Sequence, residues 1–211
     1  CLVSINGINV IVAGKTLEPR WLSVDLALKE LRDGLMIWDF ASDKNPDIVV
    51  CGIGDYLTKE ALAGVDIIKS LLPNVKVRFV NIMILYYDFF NNINFIKFFT
   101  KNKPVIFNYH GYPSDLRAML FNQGDTSRFV VNGYTEHGST TTPFDMHIRN
   151  ATSRFHIVMQ AVNLLAVNKI ISKSKADNIC SFFRNKILAH HDFIKKYGVD
   201  PVEISEWQWK R

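Results

Sequence analysis

The sequence predicts an α/β domain in which a mostly parallel β-sheet lies between two layers of helices. Short apolar runs typical of β-strands alternate along the chain with segments of helical periodicity, which is the pattern of a three-layer α/β sandwich. The run 47–51 is almost continuously apolar, as expected of a strand covered on both faces. The 211 residues suffice for one substantial domain, and no internal repeat or low-complexity linker divides them.

The N-terminal segment, residues 1–46, is predicted to hold the first strand and the first helix. An apolar run over 8–13 predicts the strand. Ser23 is a typical N-cap for a helix over 24–31, and Gly34 lies just beyond the end of that helix.

The main α/β body, residues 47–211, is predicted to carry four more strands and the longer helices. Thr58 is predicted to cap the first of these helices, in which apolar residues recur at helical spacing. Pro143 is predicted to stand in the first turn of a further helix. The predicted strands are 47–51, 75–82, 104–109 and 128–132, and the other predicted helices are 59–72, 114 or 115 to 121, 154–167 and 174–197.

Charge and hydropathy argue against two classes of partner. The formal net charge of +5 is mild, and basic residues alternate with acidic ones without forming a block, so we predict no nucleic-acid partner. The most apolar stretch, 79–99, is interrupted by Asp88 and several asparagines. Its unbroken runs are shorter than the roughly 18–20 residues that a membrane span requires, so we predict no membrane segment.

The cysteines and the first residue bear on the origin of the chain. Cys51 and Cys180 lie in apolar surroundings and are interpreted as small core residues in a reducing cytoplasm. No cysteine or histidine spacing indicates a metal site. Because the chain begins at Cys1 without a methionine or a cleavable leader, we expect it to be a fragment of a longer protein.

Two polar, glycine-containing clusters each follow a predicted strand. The first is HGYP at 110–113, and the second is GYTEHG at 133–138, which is followed by a run of four hydroxyl residues. In open α/β sheets the loops at the carboxyl ends of strands gather around ligands. Four of their side chains are candidates for lining a cleft or a subunit contact: His110, Tyr112, Glu136 and His137.

A structural explanation remains open for both clusters. His110 can satisfy a backbone carbonyl, as buried polar groups generally do. The second cluster and the hydroxyl run can form a loop that hydrogen-bonds with itself and caps the helix opened by Pro143. Asp145 is then an acidic residue in the first turn of that helix.

Short motifs are spread along nearly the whole chain: NVIVAGK at 9–15, EPRWL at 18–22, DIVV at 47–50, GD at 54–55, LP at 72–73, KVRFVN at 76–81, the segment 104–146, RFH at 154–156 and KYG at 196–198. In their residues and their order they resemble the C-terminal domain of the phosphoketolases. These are thiamine-diphosphate enzymes that cleave xylulose 5-phosphate and fructose 6-phosphate. Two departures from the family pattern are a shortened loop after Asn81 and Ser114 in place of a tryptophan.

The resemblance implies a fold and an activity. The family's domain has five strands, one of them antiparallel at an edge. The parent enzyme would release acetyl phosphate and an aldose phosphate, and Lys15 would contact the substrate phosphate. The spacing of Lys15 alone favours a solvated surface lysine, and the resemblance reverses that preference.

The resemblance also implies partners. Thiamine diphosphate and Mg²⁺ would be bound by the N-terminal and middle domains of the same enzyme, because this chain lacks the Gly-Asp-Gly motif that opens their site. The whole enzyme would be a cytoplasmic homodimer, and this chain alone would be inactive. A purely structural dimerisation domain without ligand contact is the alternative. A nucleotide-binding module ranks last, since GIGD at 52–55 lacks the full glycine motif.

Overall fold

A computed structural model describes residues 18–135, 138 and 140–210 of the chain. Five strands form one sheet in the order β1-β3-β2-β4-β5, in which β1 pairs antiparallel with β3 and every other neighbouring pair is parallel. The predicted five-stranded sheet with one antiparallel edge strand is thereby confirmed. The strands are β1 (Leu35–Ile37), β2 (Ile48–Ile53), β3 (Val77–Ile82), β4 (Val105–Tyr109) and β5 (Phe129–Gly133).

Helices cover both faces of the sheet, and each face has its own hydrophobic core. Because successive residues of a strand point to opposite faces, Ile48 and Val50 pack toward α2, α6 and α7, whereas Val49 and Cys51 pack toward α3 and α4. The helices are α1 (Val24–Asp33), α2 (Asp55–Leu71), α3 (Phe95–Phe99), α4 (Pro113–Leu120), α5 (Pro143–Arg149), α6 (Arg154–Val167), α7 (Lys173–Tyr197) and α8 (Val202–Ser205).

Helix ends follow the capping signals in the sequence. The Ser23 hydroxyl accepts a hydrogen bond from the Leu26 N–H at 3.4 Å, and Gly34 closes α1 in the left-handed conformation with φ 79°. Ser153 begins α6, whose bounds agree with the prediction. Among the described residues, no helix is both long and apolar enough to cross a lipid bilayer.

The edge strand and the start of α2 differ from the predictions, and one predicted strand lies outside the described residues. The antiparallel edge strand is β1, which the sequence pattern missed because three residues directly after a helix show no periodicity. The strand predicted at 8–13 lies outside the described residues. Thr58 does not cap α2, which begins at Asp55 directly after Gly54. Thr58 is instead inside the helix, and its hydroxyl donates to Asn81 Oδ1 at 2.8 Å.

Candidate functional site

The candidate site is a crevice at the carboxyl ends of β2 and β4. The chain leaves β2 into α2 on one face of the sheet and leaves β4 into α4 on the other face. Such a divergence of neighbouring strands opens the crevice in which α/β proteins bind ligands. The His110 N–H donates to the Ile53 carbonyl at 2.9 Å, so the two loops begin side by side.

Gly54 allows this close approach of the two loops. Its φ of +96° lies in a region that side chains disfavour, and a Cβ atom there would come within 2.6 Å of the His110 Cβ. The glycine of the sequence motif therefore has a steric role in the crevice, since any other residue would push the two loops apart.

His110 and Tyr112, both predicted from the sequence, lie at the mouth of the crevice. The His110 side chain is exposed, and its ring packs edge-on against Tyr56 and Tyr134, with ring centroids 6.2 Å away in each case. Tyr112 is 54% exposed at the start of α4. The exposed aromatic surface is compatible with a cleft or an interface, and the role of both residues stays a prediction.

The loops after β4 and β5 are joined by their backbones. The Tyr134 N–H donates to the Gly111 carbonyl at 3.0 Å, and a Cβ atom at Gly133 would come within 2.5 Å of that carbonyl oxygen. Three other predicted site residues, Lys15, Glu136 and His137, lie outside the described residues, so their roles also stay predictions.

The described threonines of the hydroxyl run serve the start of α5. The Thr142 hydroxyl accepts from the Asp145 N–H at 3.4 Å, so this residue is the N-cap, and the Thr141 hydroxyl donates to the Asp145 carboxylate at 2.6 Å. Capping of the helix opened by Pro143, the structural alternative for this segment, is confirmed. Asp145 lies in the first turn, as predicted.

Asp200 ties the C-terminal end of the chain to the same helix. Its carboxylate accepts hydrogen bonds from the Thr142 hydroxyl at 2.6 Å, the Phe144 N–H at 2.9 Å and His190 Nε2 at 2.9 Å. Burial opposes ionisation, but these donors hold the pKa of Asp200 below its ordinary value.

A small cavity of about 200 Å³, lined by charged and aromatic residues, lies beside the crevice, between the start of α2 and α5. His147 faces it, and burial lowers the pKa of this imidazole, so the neutral form is favoured. Its Nδ1 lies 3.2 Å from the Thr152 hydroxyl, which donates to the His147 carbonyl at 3.3 Å. The cavity is lined by Tyr56, Lys59, Glu60, Phe144, His147 and Asp200, among others.

A buried ion pair, Glu60–Arg154, forms part of the frame around this cavity. Arg154 donates from Nη2 and Nε to the two carboxylate oxygens at 2.6 and 3.0 Å, and its backbone N–H adds a third bond at 2.8 Å. The guanidinium lies over the rings of Phe144 and Trp207, 5.4 Å from each centroid. Burial opposes ionisation, yet Arg154 holds the pKa of Glu60 below its ordinary value.

Sequence reasoning did not find His147, Glu60 or Arg154 as members of one cluster. The ion pair joins residues 94 positions apart, and no local spacing reports such a contact. One signal was present, since Glu60 shares its helix face with Leu57, Ala63 and Gly64, and a charged residue on such a face needs a partner. Among the described residues, no group of His, Cys, Asp and Glu side chains is arranged to hold a metal ion.

Comparison with known proteins gives consistent matches. The family model described as the XFP C-terminal domain matches residues 15–209. The probable phosphoketolase of Brucella abortus is 40% identical over 220 residues, which cover 99% of this chain and 27% of that protein. The probable phosphoketolase of Nitrosospira multiformis is 39% identical with the same coverage. The probable phosphoketolase of Chlorobaculum tepidum is 37% identical over 222 residues, which cover 100% of this chain and 28% of that protein.

The chain thus spans about a quarter of the length of these curated relatives. Among solved structures, a transketolase from Leishmania mexicana matches with a TM-score of 0.46 and 15% identity, over 65% of this chain and 18% of that one. A similarity of that degree supports no conclusion about function.

Proposed function

Because this chain belongs to the XFP C-terminal domain family, we propose that it is the C-terminal domain of a phosphoketolase. The whole enzyme would cleave xylulose 5-phosphate, fructose 6-phosphate or both to acetyl phosphate and an aldose phosphate. The observation that carries the proposal is the family match over residues 15–209, supported by 40% identity to a probable phosphoketolase along 99% of the chain.

Under this proposal residues 1–211 form one domain that buttresses the active site and extends a cytoplasmic homodimer. Thiamine diphosphate, when bound, supplies an electron sink for the reacting carbon. The described residues do not suit a magnesium-diphosphate site, since the carboxylates that line the cavity already have partners: Glu18 pairs with Lys59, Glu60 with Arg154, and Asp200 bonds the start of α5. We therefore assign cofactor and metal to the N-terminal and middle domains of the enzyme.

The contribution of this chain to substrate binding would be Lys15, which would hold the sugar phosphate as a point charge. The chain that follows Lys15 is anchored from Glu18 onward. Lys59 Nζ lies 3.0 Å from the Glu18 carboxylate and also donates to the Ser205 carbonyl at 3.0 Å. These contacts hold Glu18, three residues beyond Lys15, beside α2 and the end of α8.

The experiment is Lys15→Ala in the complete enzyme, assayed for acetyl phosphate with thiamine diphosphate, Mg²⁺ and inorganic phosphate. Loss of one charge-assisted contact, about 1.5–3 kcal/mol, predicts a KM for the sugar phosphate raised about 10- to 100-fold. Lys101→Ala, an exposed lysine, is the matched control. Unchanged kinetics with a weakened dimer in sedimentation would instead favour the alternative, a purely structural dimerisation domain.

The 211-residue chain alone gives a separate test. It is expected to release no acetyl phosphate from either ketose phosphate when the same cofactors are supplied. Turnover by this chain would contradict the assignment of the cofactor site to other domains.

A further inference from the structure

An apolar groove of about 570 Å³ lies between α1 and the loop after β3. One wall is the outer face of α1, where Val24, Leu28 and Leu31 are 63%, 47% and 49% exposed. These positions share one side of the helix, because residues three and four apart are neighbours on a helix surface. Met83, 51% exposed, adds to the opposite wall.

The floor of the groove is a closed polar network. Glu30 Oε1 accepts from Trp38 Nε1 at 3.0 Å and from Asn81 Nδ2 at 2.9 Å, and Asn81 Oδ1 accepts from the Thr58 hydroxyl at 2.8 Å. This network fixes the inner face of α1 to the sheet. The apolar outer face of α1 is therefore held rigidly away from the core of this domain.

This orientation is the reverse of the usual one. A surface helix normally turns its apolar stripe to the core and its polar face to water. In α1 the buried residue is Glu30, while three large apolar side chains of the groove wall are exposed. Exposed apolar surfaces of this kind mark sites of contact with other proteins or domains.

We propose that the groove is the docking surface for the domain that precedes this one in the same polypeptide, an inference that rests on the proposed function. The curated relatives are almost four times as long as this chain, and the matching family is a C-terminal domain, so most of the polypeptide lies ahead of it. The first described residues also lie at the groove, since Glu18, Trp21 and Leu22 line it.

Covalent continuity selects the occupant. A domain in the same polypeptide is held near this surface at a higher effective concentration than a free partner of the same affinity. A second copy of the chain has no such advantage. Because the walls are apolar and the polar groups of the floor already bond one another, the surface that docks here should be apolar.

The test places a photo-activated cross-linking residue at position 28 of the complete enzyme. Enzyme is assembled from an equal mixture of unlabelled and ¹⁵N-labelled chains, and cross-linked peptides are identified by mass spectrometry. We expect cross-links to the preceding domain within chains of one isotope. Mixed-isotope cross-links would assign the groove to a second copy. Cross-links confined to residues 1–17, or none, would also overturn the proposal.

A pair of variants supplies an independent readout. Leu28→Asp is compared with Leu26→Asp, because both leucines lie on α1 with 47% and 46% exposure but only Leu28 lines the groove. Hydrogen exchange of Val24–Asp33 in the complete enzyme is expected to be at least tenfold faster in the first variant than in the second. Equal rates would contradict docking. Acetyl phosphate production by the unmodified enzyme tests the proposed function separately from these outcomes.

Discussion

Glu30 of α1 and Glu60 of α2 are 1% and 4% exposed, so both carboxyl groups are withdrawn from water. Their partners differ. Glu60 shares both oxygens with the Arg154 guanidinium, whereas a single oxygen of Glu30 accepts from two neutral donors, Trp38 and Asn81. Burial raises the pKa of Glu30 more than these donors lower it, while Arg154 overcomes burial and lowers the pKa of Glu60.

The pair shows that the partner, not the depth, decides whether a buried carboxyl carries its charge. The two residues therefore contribute to stability with opposite pH dependence. The contribution of Glu60 is full above its ordinary pKa of 4.5 and is lost as the pH falls through its lower folded value. For Glu30 the folded protein becomes less stable as the pH rises from 4.5 through the raised folded value.

The largest effect is expected from removing the cation, as in Arg154→Met. The variant leaves the Glu60 carboxylate buried without its positive partner, which costs about 3–5 kcal/mol of unfolding free energy. Urea denaturation of the chain at pH 7 measures it. The double variant with Glu60→Leu removes both charges and is expected to recover most of the loss. A loss below about 1 kcal/mol in the single variant would place the pair among weak surface contacts.

The sequence predicted much of the fold because most of its elements carry local signals. Ser153 marks the start of α6 and Gly34 the end of α1 through chemistry within a few residues. The edge strand Leu35–Ile37 carries no such signal, since it exists only through its pairing with Val77–Ile82. Local capping preferences also misplaced the start of α2, where the tight approach of Gly54 to the neighbouring loop sets the helix boundary.

The site was less accessible to sequence reasoning than the fold. His110 and Tyr112 were predicted because they follow a strand, and the structure places them directly after β4, where their roles stay predictions. Arg154 lies 94 positions from Glu60, and Asn81 lies 51 positions from Glu30, so only the folded chain brings these partners together. The phosphate-binding role of Lys15 came from family resemblance, and it still depends on the kinetic test.

A moderate effect is expected from Asn81→Leu, which tests the neutral surroundings of Glu30. The variant removes one donor to Glu30 and the acceptor of the Thr58 hydroxyl, at a cost of about 2 kcal/mol. Since that donor lowers the pKa of Glu30, its loss raises the folded pKa further, and the destabilisation should be greater at pH 8 than at pH 4.5. Denaturation curves at both values measure this. Thr58→Val, which leaves Glu30 untouched, is the control without that pH dependence.

The smallest change in unfolding free energy is expected from Glu30→Gln. This variant is informative because it should stabilise the protein, whereas the other variants destabilise it. Glutamine can still accept from Trp38 and Asn81 but never ionises, so the cost of a buried charge disappears. Near pH 4.5 the variant should match the wild type, and above it should become the more stable of the two, by less than about 1 kcal/mol. Glu60→Gln should be less stable than the wild type above pH 4.5. The difference in unfolding free energy should shrink at lower pH, as acid protonates Glu60 in the wild type. If the stability differences of the two variants from the wild type changed with pH in the same direction, Arg154 would not be the cause of the opposite pKa shifts of Glu30 and Glu60.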